Sequence, residues 1–155
     1  MALVERGVHA SVIRLPQVHD TVKQGLVSYL LQIAWNKGVS ACVGDGHNRW
    51  PAAHISDVAH LYRLAMERGV AGARYHAVAE EGVMLKDIAT ALGSGLKVPV
   101  ISIAPEQSQE HFGFLGMFAS RDGPVSNAQT LATLGWRPAG PSLLTDLANM
   151  CYTRD

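Results

Sequence analysis

The side chains of this 155-residue sequence best suited to chemistry are its seven histidines, its two cysteines and an arginine beside a glycine-rich stretch. His9, His19, His47, His54, His60, His76 and His111 are scattered. No two stand at i and i+4, the spacing that puts two imidazoles on one helix face, so the histidines spell no metal site. Surface or hydrogen-bonded histidines are the reading that their spacing supports. Cys42 and Cys151 form no Cys-x-x-Cys pair and are too few for a disulfide framework, which suits small thiols in a reducing compartment. A G-x-x-x-x-G-K-[ST] phosphate loop is absent, as are H-E-x-x-H and G-x-S-x-G. Gly69-x-x-Gly72 and Gly113-x-x-Gly116 read as helix stops or close packing, because neither is a G-x-G-x-x-G between a strand and a helix.

Three residues stand out as candidates for substrate binding. Arg49 follows Gly44-Asp45-Gly46-His47-Asn48 in what reads as a loop, and a guanidinium fork suits a phosphate, a carboxylate or a carbonyl-rich substrate. Trp50 is placed either to wall a pocket or to anchor that loop. His19, just past a strand, is able to hydrogen-bond a substrate or cofactor hydroxyl. The plain alternative for both His19 and Arg49 is a solvated loop side chain. His54 and Asp57 flank a helix start, where the helix dipole favours Asp57 in a structural role. All three phenylalanines lie in Phe112-Gly113-Phe114-Leu115-Gly116-Met117-Phe118. With Met84 they suit an apolar substrate pocket, although such residues at helical spacing are read first as core packing.

The elements that must position these groups alternate. His9 to Leu15 is apolar, rich in β-branched residues and closed by Pro16, which predicts a strand. Helical spacing of Leu26, Val27, Leu30, Leu31, Ile33 and Ala34 predicts a helix from about Thr21 to Lys37, stopped by Gly38. Ser40 to Val43 predicts a strand, and Gly44 to Pro51 a loop. Ser56 is the expected N-cap of a helix carrying Val58, Leu61, Tyr62 and Ala65, with Gly69 after its end. Arg74 to Val78 predicts a strand, Leu85 to Leu92 a helix ending at Gly93 or Gly95, and Val98 to Ile103 a strand. Pro105 suits the first position of a helix reaching about Phe118, and two shorter helices follow Ser126 and Pro141. The arrangement is α/β. Ala2 to Arg6 reads as the last turn of a helix stopped by Gly7, as if the chain began inside an element.

Composition narrows the function classes. Hydrophobic residues make up 48% and charged residues 17%, an ordinary globular balance that excludes intrinsic disorder. Thirteen basic residues balance thirteen acidic ones, which argues against a nucleic-acid footprint and against a polybasic membrane anchor. The longest apolar-leaning stretch, Leu26 to Trp35, is too short to span a bilayer, and the first residues lack the pattern of a signal peptide. A cytoplasmic protein with a small-molecule substrate is the expectation, with no nucleic-acid or membrane partner.

Taken in order, the segments Arg14-Leu15-Pro16-Gln17-Val18-His19, Val43-Gly44-Asp45-Gly46-His47-Asn48-Arg49-Trp50, Ala53-His54-Ile55-Ser56-Asp57-Val58-Ala59 and Leu134-Gly135-Trp136-Arg137-Pro138 carry a resemblance. From Val8 to about Leu147 the chain resembles the C-terminal, substrate-binding half of the extended short-chain dehydrogenase/reductases, the NAD-dependent epimerase/dehydratase family. The resemblance rests on the order of the segments rather than on any one motif. It implies the C-terminal part of a Rossmann-like doubly wound sheet with a small helical substrate-binding subdomain, and residues 1–155 as a single partial domain. It implies NAD or NADP as cofactor, with Leu15, Pro16 and Val18 against the nicotinamide, and His19, Arg49 and Trp50 toward the substrate.

The departures bear on activity. The family's glycine-rich loop and Tyr-x-x-x-Lys pair belong to a half that would precede Met1, and no tyrosine here has a lysine four residues on. Asp20 stands where the family's turn has glycine. The chain is therefore expected to bind NAD(P) weakly or not at all by itself, and no residue in it is assigned a catalytic role. The other reading is a non-catalytic binding or interaction module derived from the same fold. The strand His9 to Leu15, lacking one neighbour and paired with Arg74 to Val78, is expected to leave an edge through which the chain self-associates.

Overall fold

A computed structural model of the chain describes residues 5–153, and along them strands alternate with helices. Strand β1 (Val12–Arg14) lies parallel to β5 (Arg74–His76), with Ile13 opposite Tyr75. Strand β2 (Gln17–His19) lies parallel to β4 (Arg49–His54), which pairs antiparallel with β6 (Glu80–Met84). Strand β3 (Ser40–Val43) is parallel to β7 (Val100–Ile103). Among the described residues the strands thus form three small sheets rather than one doubly wound sheet. The cause is local at Pro16: it offers no N–H, so the run from Val12 to His19 is cut into two pieces with different partners. The strand expected over His9–Leu15 is accordingly shorter, although its partner is the expected one.

Helix α1 (Val27–Lys37) begins later than its apolar spacing suggests. Asp20 Oδ1 accepts the N–H groups of Val22 and Lys23 at 2.7 Å each, which commits that stretch to a turn. Gly38, at φ +68°, ends the helix as expected. Helix α2 (Ile55–Arg68) is capped by His54 rather than Ser56: the His54 Nδ1 accepts the Ser56 N–H at 3.2 Å. Helix α3 (Leu85–Leu96) runs through Gly93 and Gly95. Both glycines serve packing, since a Cβ at Gly93 would lie 2.5 Å from Val100 Cγ2, and one at Gly95 2.2 Å from the Tyr152 ring.

The helix expected from Pro105 to Phe118 is broken. A 3₁₀ turn (Pro105–Gln107) leads to α4 (Ser108–Phe112), and a second (Gly113–Leu115) to α5 (Gly116–Ala119). Gly113, at φ +59°, makes the break. Helices α6 (Ala128–Leu134) and α7 (Leu143–Asn149) follow where expected.

The core has two parts. Val27, Leu30, Val43, Ile88, Leu92 and Leu147 belong to the first, formed where α1, α3 and α7 meet β3. Ala53, Leu61, Leu64, Tyr75 and Trp136 belong to the second, beneath α2. The aromatic run contributes only in part: Phe112 and Leu115 are buried, whereas Phe114, Met117 and Phe118 are exposed, so packing does not account for all of it. The helical turn expected over Ala2–Arg6 lies mostly outside the described residues. Among those described, no helix is long and apolar enough to cross a membrane.

Candidate functional site

Parallel pairing of β2 with β4 sets His19 directly beside His54 at the carboxyl ends of both strands. That end of an open α/β sheet is where ligands are bound. The two rings meet edge to face with centroids 5.7 Å apart. His19 is fully buried, and its Nδ1 lies 2.7 Å from Asp146 Oδ2 on α7. An ionised carboxylate only accepts, so the proton sits on Nδ1 and the lone pair on Nε2. That Nε2 has no hydrogen-bond partner and faces Glu80 Oε1 at 3.8 Å. Glu80 Oε1 in turn accepts the Leu143 N–H at 2.8 Å, tying β6 to the start of α7. His54 is arranged the other way round. Its Nδ1 accepts from Ser56, so its Nε2 carries the proton, 3.8 Å from the same Asp146 oxygen. Two imidazoles of opposite tautomer thus flank one buried carboxylate, an arrangement suited to relaying a proton.

A cavity of about 530 Å³ adjoins these groups, a size that suits a small-molecule ligand. Val18, His19 and Asp20 line it from the end of β2, Lys23 and Gly25 from the turn, Ser28 and Tyr29 from α1, and Ile55 from α2. The Asp20 carboxyl is held below its ordinary value, first by the Lys23 N–H, then by that of Val22, with smaller help from His54 and His19. Tyr29 packs edge to face on the exposed Phe114, with ring centroids 5.4 Å apart.

Of the residues singled out from the sequence, Val18 and His19 are brought together at this cavity. His19 is not a solvated loop residue: it belongs to β2 and to a buried polar group. Leu15 and Pro16 lie between β1 and β2, Leu15 exposed and Pro16 half-buried. Arg49 and Trp50 belong to β4 rather than to a loop. The Arg49 guanidinium forks onto Asp122, Nε to Oδ1 at 3.0 Å and Nη2 to Oδ2 at 2.8 Å, and its backbone N–H donates to the same carboxylate at 2.8 Å. Trp50 is buried and donates its Nε1 proton to the Phe118 carbonyl, bordering a separate hollow of about 160 Å³. Both members of the Arg49–Asp122 pair are nearly half exposed, so Arg49→Ala is expected to leave the thermal melt almost unchanged.

Asp146 and Glu80 are functional candidates that the sequence did not single out, and His54 was marked there only as flanking a helix start. Asp146 lies 127 residues from His19, and each acid has a local explanation of its own: Asp146 in the first turn of α7, Glu80 at the start of a strand. The usable signal was that His19 and His54 each close a strand just before a polar turn or a helix. Asp57, flagged for the helix dipole, has a structural role of wider reach. Its Oδ1 and Oδ2 accept the N–H groups of Ala139 and Gly140, at 2.9 Å each.

Among the described residues no glycine-rich turn joins a strand to a helix as a pyrophosphate cradle would. The one glycine turn that directly follows a strand, Gly44-Asp45-Gly46, leads to β4 rather than into a helix. Gly46 is needed for packing, because a Cβ there would lie 2.7 Å from Lys86 Cβ. Among the described residues no three His, Cys, Asp or Glu side chains are grouped to hold a metal ion.

No protein-family model matches the chain. An uncharacterised protein of Schizosaccharomyces pombe is 48% identical over 98% of the chain, which covers 52% of that protein. An uncharacterised protein of Saccharomyces cerevisiae is 45% identical over 92% of the chain, which covers 48% of it. The chain spans about half the length of these curated relatives.

Solved structures share its fold at low identity. A Streptomyces venezuelae dTDP-glucose 4,6-dehydratase with NAD bound superposes at a TM-score of 0.68 with 18% identity, covering 94% of this chain and 43% of that one. A human epimerase family protein with NADPH gives 0.65 with 23% identity, covering 90% and 47%. A UDP-glucose 4-epimerase from Thermotoga maritima with UDP-glucose gives 0.65 with 21% identity, covering 94% and 45%. The chain is thus an α/β protein whose parallel strands and helices match part of the epimerase/dehydratase, Rossmann-like fold.

Proposed function

We propose that the chain is the substrate-binding portion of an NAD(P)-dependent oxidoreductase or epimerase, acting on a small carbonyl-, hydroxyl- or sugar-bearing substrate. The observation that carries this reading is the His19–His54 pair. It stands in register at the carboxyl ends of two parallel strands, beside a cavity of about 530 Å³, in a fold shared with sugar-nucleotide enzymes. In this reading the cavity takes the hydroxyl-bearing part of the substrate, and the imidazoles hold or move its proton. Leu15, Pro16 and Val18 form one rim of a nicotinamide site. When bound, a nicotinamide cofactor would supply the hydride transfer.

Two results are expected of the chain on its own. Calorimetry with NADH and NADPH gives no micromolar Kd, and no turnover accompanies either. Saturation-transfer NMR with UDP-glucose gives weak, millimolar binding, which Ile55→Trp abolishes by filling the cavity. Failure of UDP-glucose and of simple sugars to bind at millimolar concentration would overturn the reading.

A second reading, a non-catalytic module, is favoured by the internal engagement of Arg49 with Asp122 and of Trp50 with Phe118. It predicts a protein ligand at that face and no small-molecule binding at the cavity.

A further inference from the structure

The turn between β2 and α1 is held by hydrogen bonds of its own and of its two glutamines. The Asp20 N–H donates to the Lys23 carbonyl at 2.9 Å, while Asp20 Oδ1 accepts the N–H groups of Val22 and Lys23. Gln24 is buried; its Nε2 donates to the Asp20 carbonyl at 2.9 Å, and its Oε1 accepts the Ser28 hydroxyl at 3.2 Å. At the far end Gln17 Oε1 accepts the Leu26 N–H at 2.8 Å. The same oxygen would lie 2.8 Å from a Cβ at Gly25, which stands at φ +58°. The side chains of Gln17, Gln24 and Ser28 are thus engaged in fixing the turn. Residue 23 contributes only its backbone, so the turn itself calls for no charge at that position. Yet Lys23 is the one lysine or arginine that lines the cavity beside His19. Among the described residues its ammonium is in no ion pair, whereas Arg49 and Arg63 are paired with Asp122 and Glu67.

We propose that Lys23 pairs with an anionic group of the ligand, so that the cavity takes a sugar-sized polyhydroxy compound bearing a carboxylate or a phosphate in preference to its neutral counterpart. The inference rests on the cavity being the substrate site, as proposed above. Asp20 is the opposing charge on the same wall. Its Oδ1 is occupied by two N–H donors, and its Oδ2 is left to accept a ligand hydroxyl. Asp20 therefore holds the hydroxyl-bearing end, and Lys23 takes the acid end as a point charge. The fixed turn presents both groups before the ligand arrives, which lowers the cost of ordering them on binding. A formal net charge of zero means that a preference for anions comes from this local charge and not from the field of the whole chain.

Saturation-transfer NMR of the full chain with glucose, glucuronate and glucose 6-phosphate at low ionic strength tests this. At least one of the two anions is expected to bind about fivefold tighter than glucose, the size of one solvent-accessible ion pair, and the advantage fades as salt is added. The larger gain identifies the group: glucuronate for a carboxylate, glucose 6-phosphate for a phosphate. Lys23→Met is expected to bring the favoured anion level with glucose, Lys23→Arg to keep the preference, and Lys23→Glu to put glucose ahead. The Lys23 side chain is exposed, so these variants are expected to fold. Equal binding of all three compounds by the wild type, or an anion preference that Lys23→Met leaves intact, would overturn the proposal while the cavity stands as the substrate site. Binding of none of the three, or binding that survives Ile55→Trp, would overturn both.

Discussion

Replacing His19 with alanine is expected to cost the fold about 3–5 kcal/mol, because it strands a buried carboxylate. The Asp146 side chain is 4% exposed, and its remaining neighbour in this group, His54 Nε2, lies 3.8 Å away, too far for a good hydrogen bond. For a domain of this size the melting temperature should fall on the order of 10 °C. Asp146→Ala should cost a similar amount, since it leaves the Nδ1 proton of His19 buried without an acceptor. Combining His19→Leu with Asp146→Leu should recover most of the loss, because removing both polar partners removes the desolvation penalty with them. Chemical denaturation of the wild type, the two alanine variants and the double leucine variant checks these losses. Single-variant losses below about 1 kcal/mol would mean that the pair is solvated and that the site lacks its buried polar group.

Trp136→Ala is expected to be equally damaging, at about 3–5 kcal/mol. The side chain is fully buried in the second core and donates its Nε1 proton to the Asp57 carbonyl at 3.1 Å. The same aspartate's carboxylate holds the N–H groups of Ala139 and Gly140, so the indole and Asp57 together clamp the segment after α6 onto the start of α2. Gly140 completes the clamp: a Cβ there would lie 2.7 Å from His54 Cβ. Loss of the indole should therefore loosen His54 as well as the core. Trp136→Phe separates the two effects. It restores most of the volume and removes only the indole's hydrogen bond to the Asp57 carbonyl, which keeps its partner within α2, for an expected loss of about 1 kcal/mol in urea unfolding.

Much of the helical framework was legible in the sequence because it is written in local terms. Val58, Leu61 and Ala65 lie on the buried face of α2, and Gly38 stops α1 with the positive φ that glycine permits. Strand β6 was not legible. Glu80-Glu81-Gly82 has poor strand propensity, and what makes it a strand is pairing with β4, where the Arg49 side chain lies over Gly82: a Cβ there would meet Arg49 Cβ at 2.9 Å. Strand β4 was hidden by Pro51, which reads as a loop closer. The register shift between Trp50 and Ala52 lets the ladder accommodate it. The site was half legible. His19 and Val18 stand at a strand end, where the sequence alone points to ligand contact. Asp146 reaches His19 across 127 residues, a tertiary contact that no local pattern carries.

That substrate meets the protein at His19 and His54 is tested most directly by the imidazole nitrogen resonances of ¹⁵N-labelled protein titrated with UDP-glucose. The expected result is that the signals of both rings move along one saturation curve while those of His47 and His111 stay still, and that Ile55→Trp removes the response. Ring signals of His19 and His54 that stay fixed while the resonances of Arg49, Trp50 and Phe118 shift would contradict it, and would move the binding face to the other side of β4.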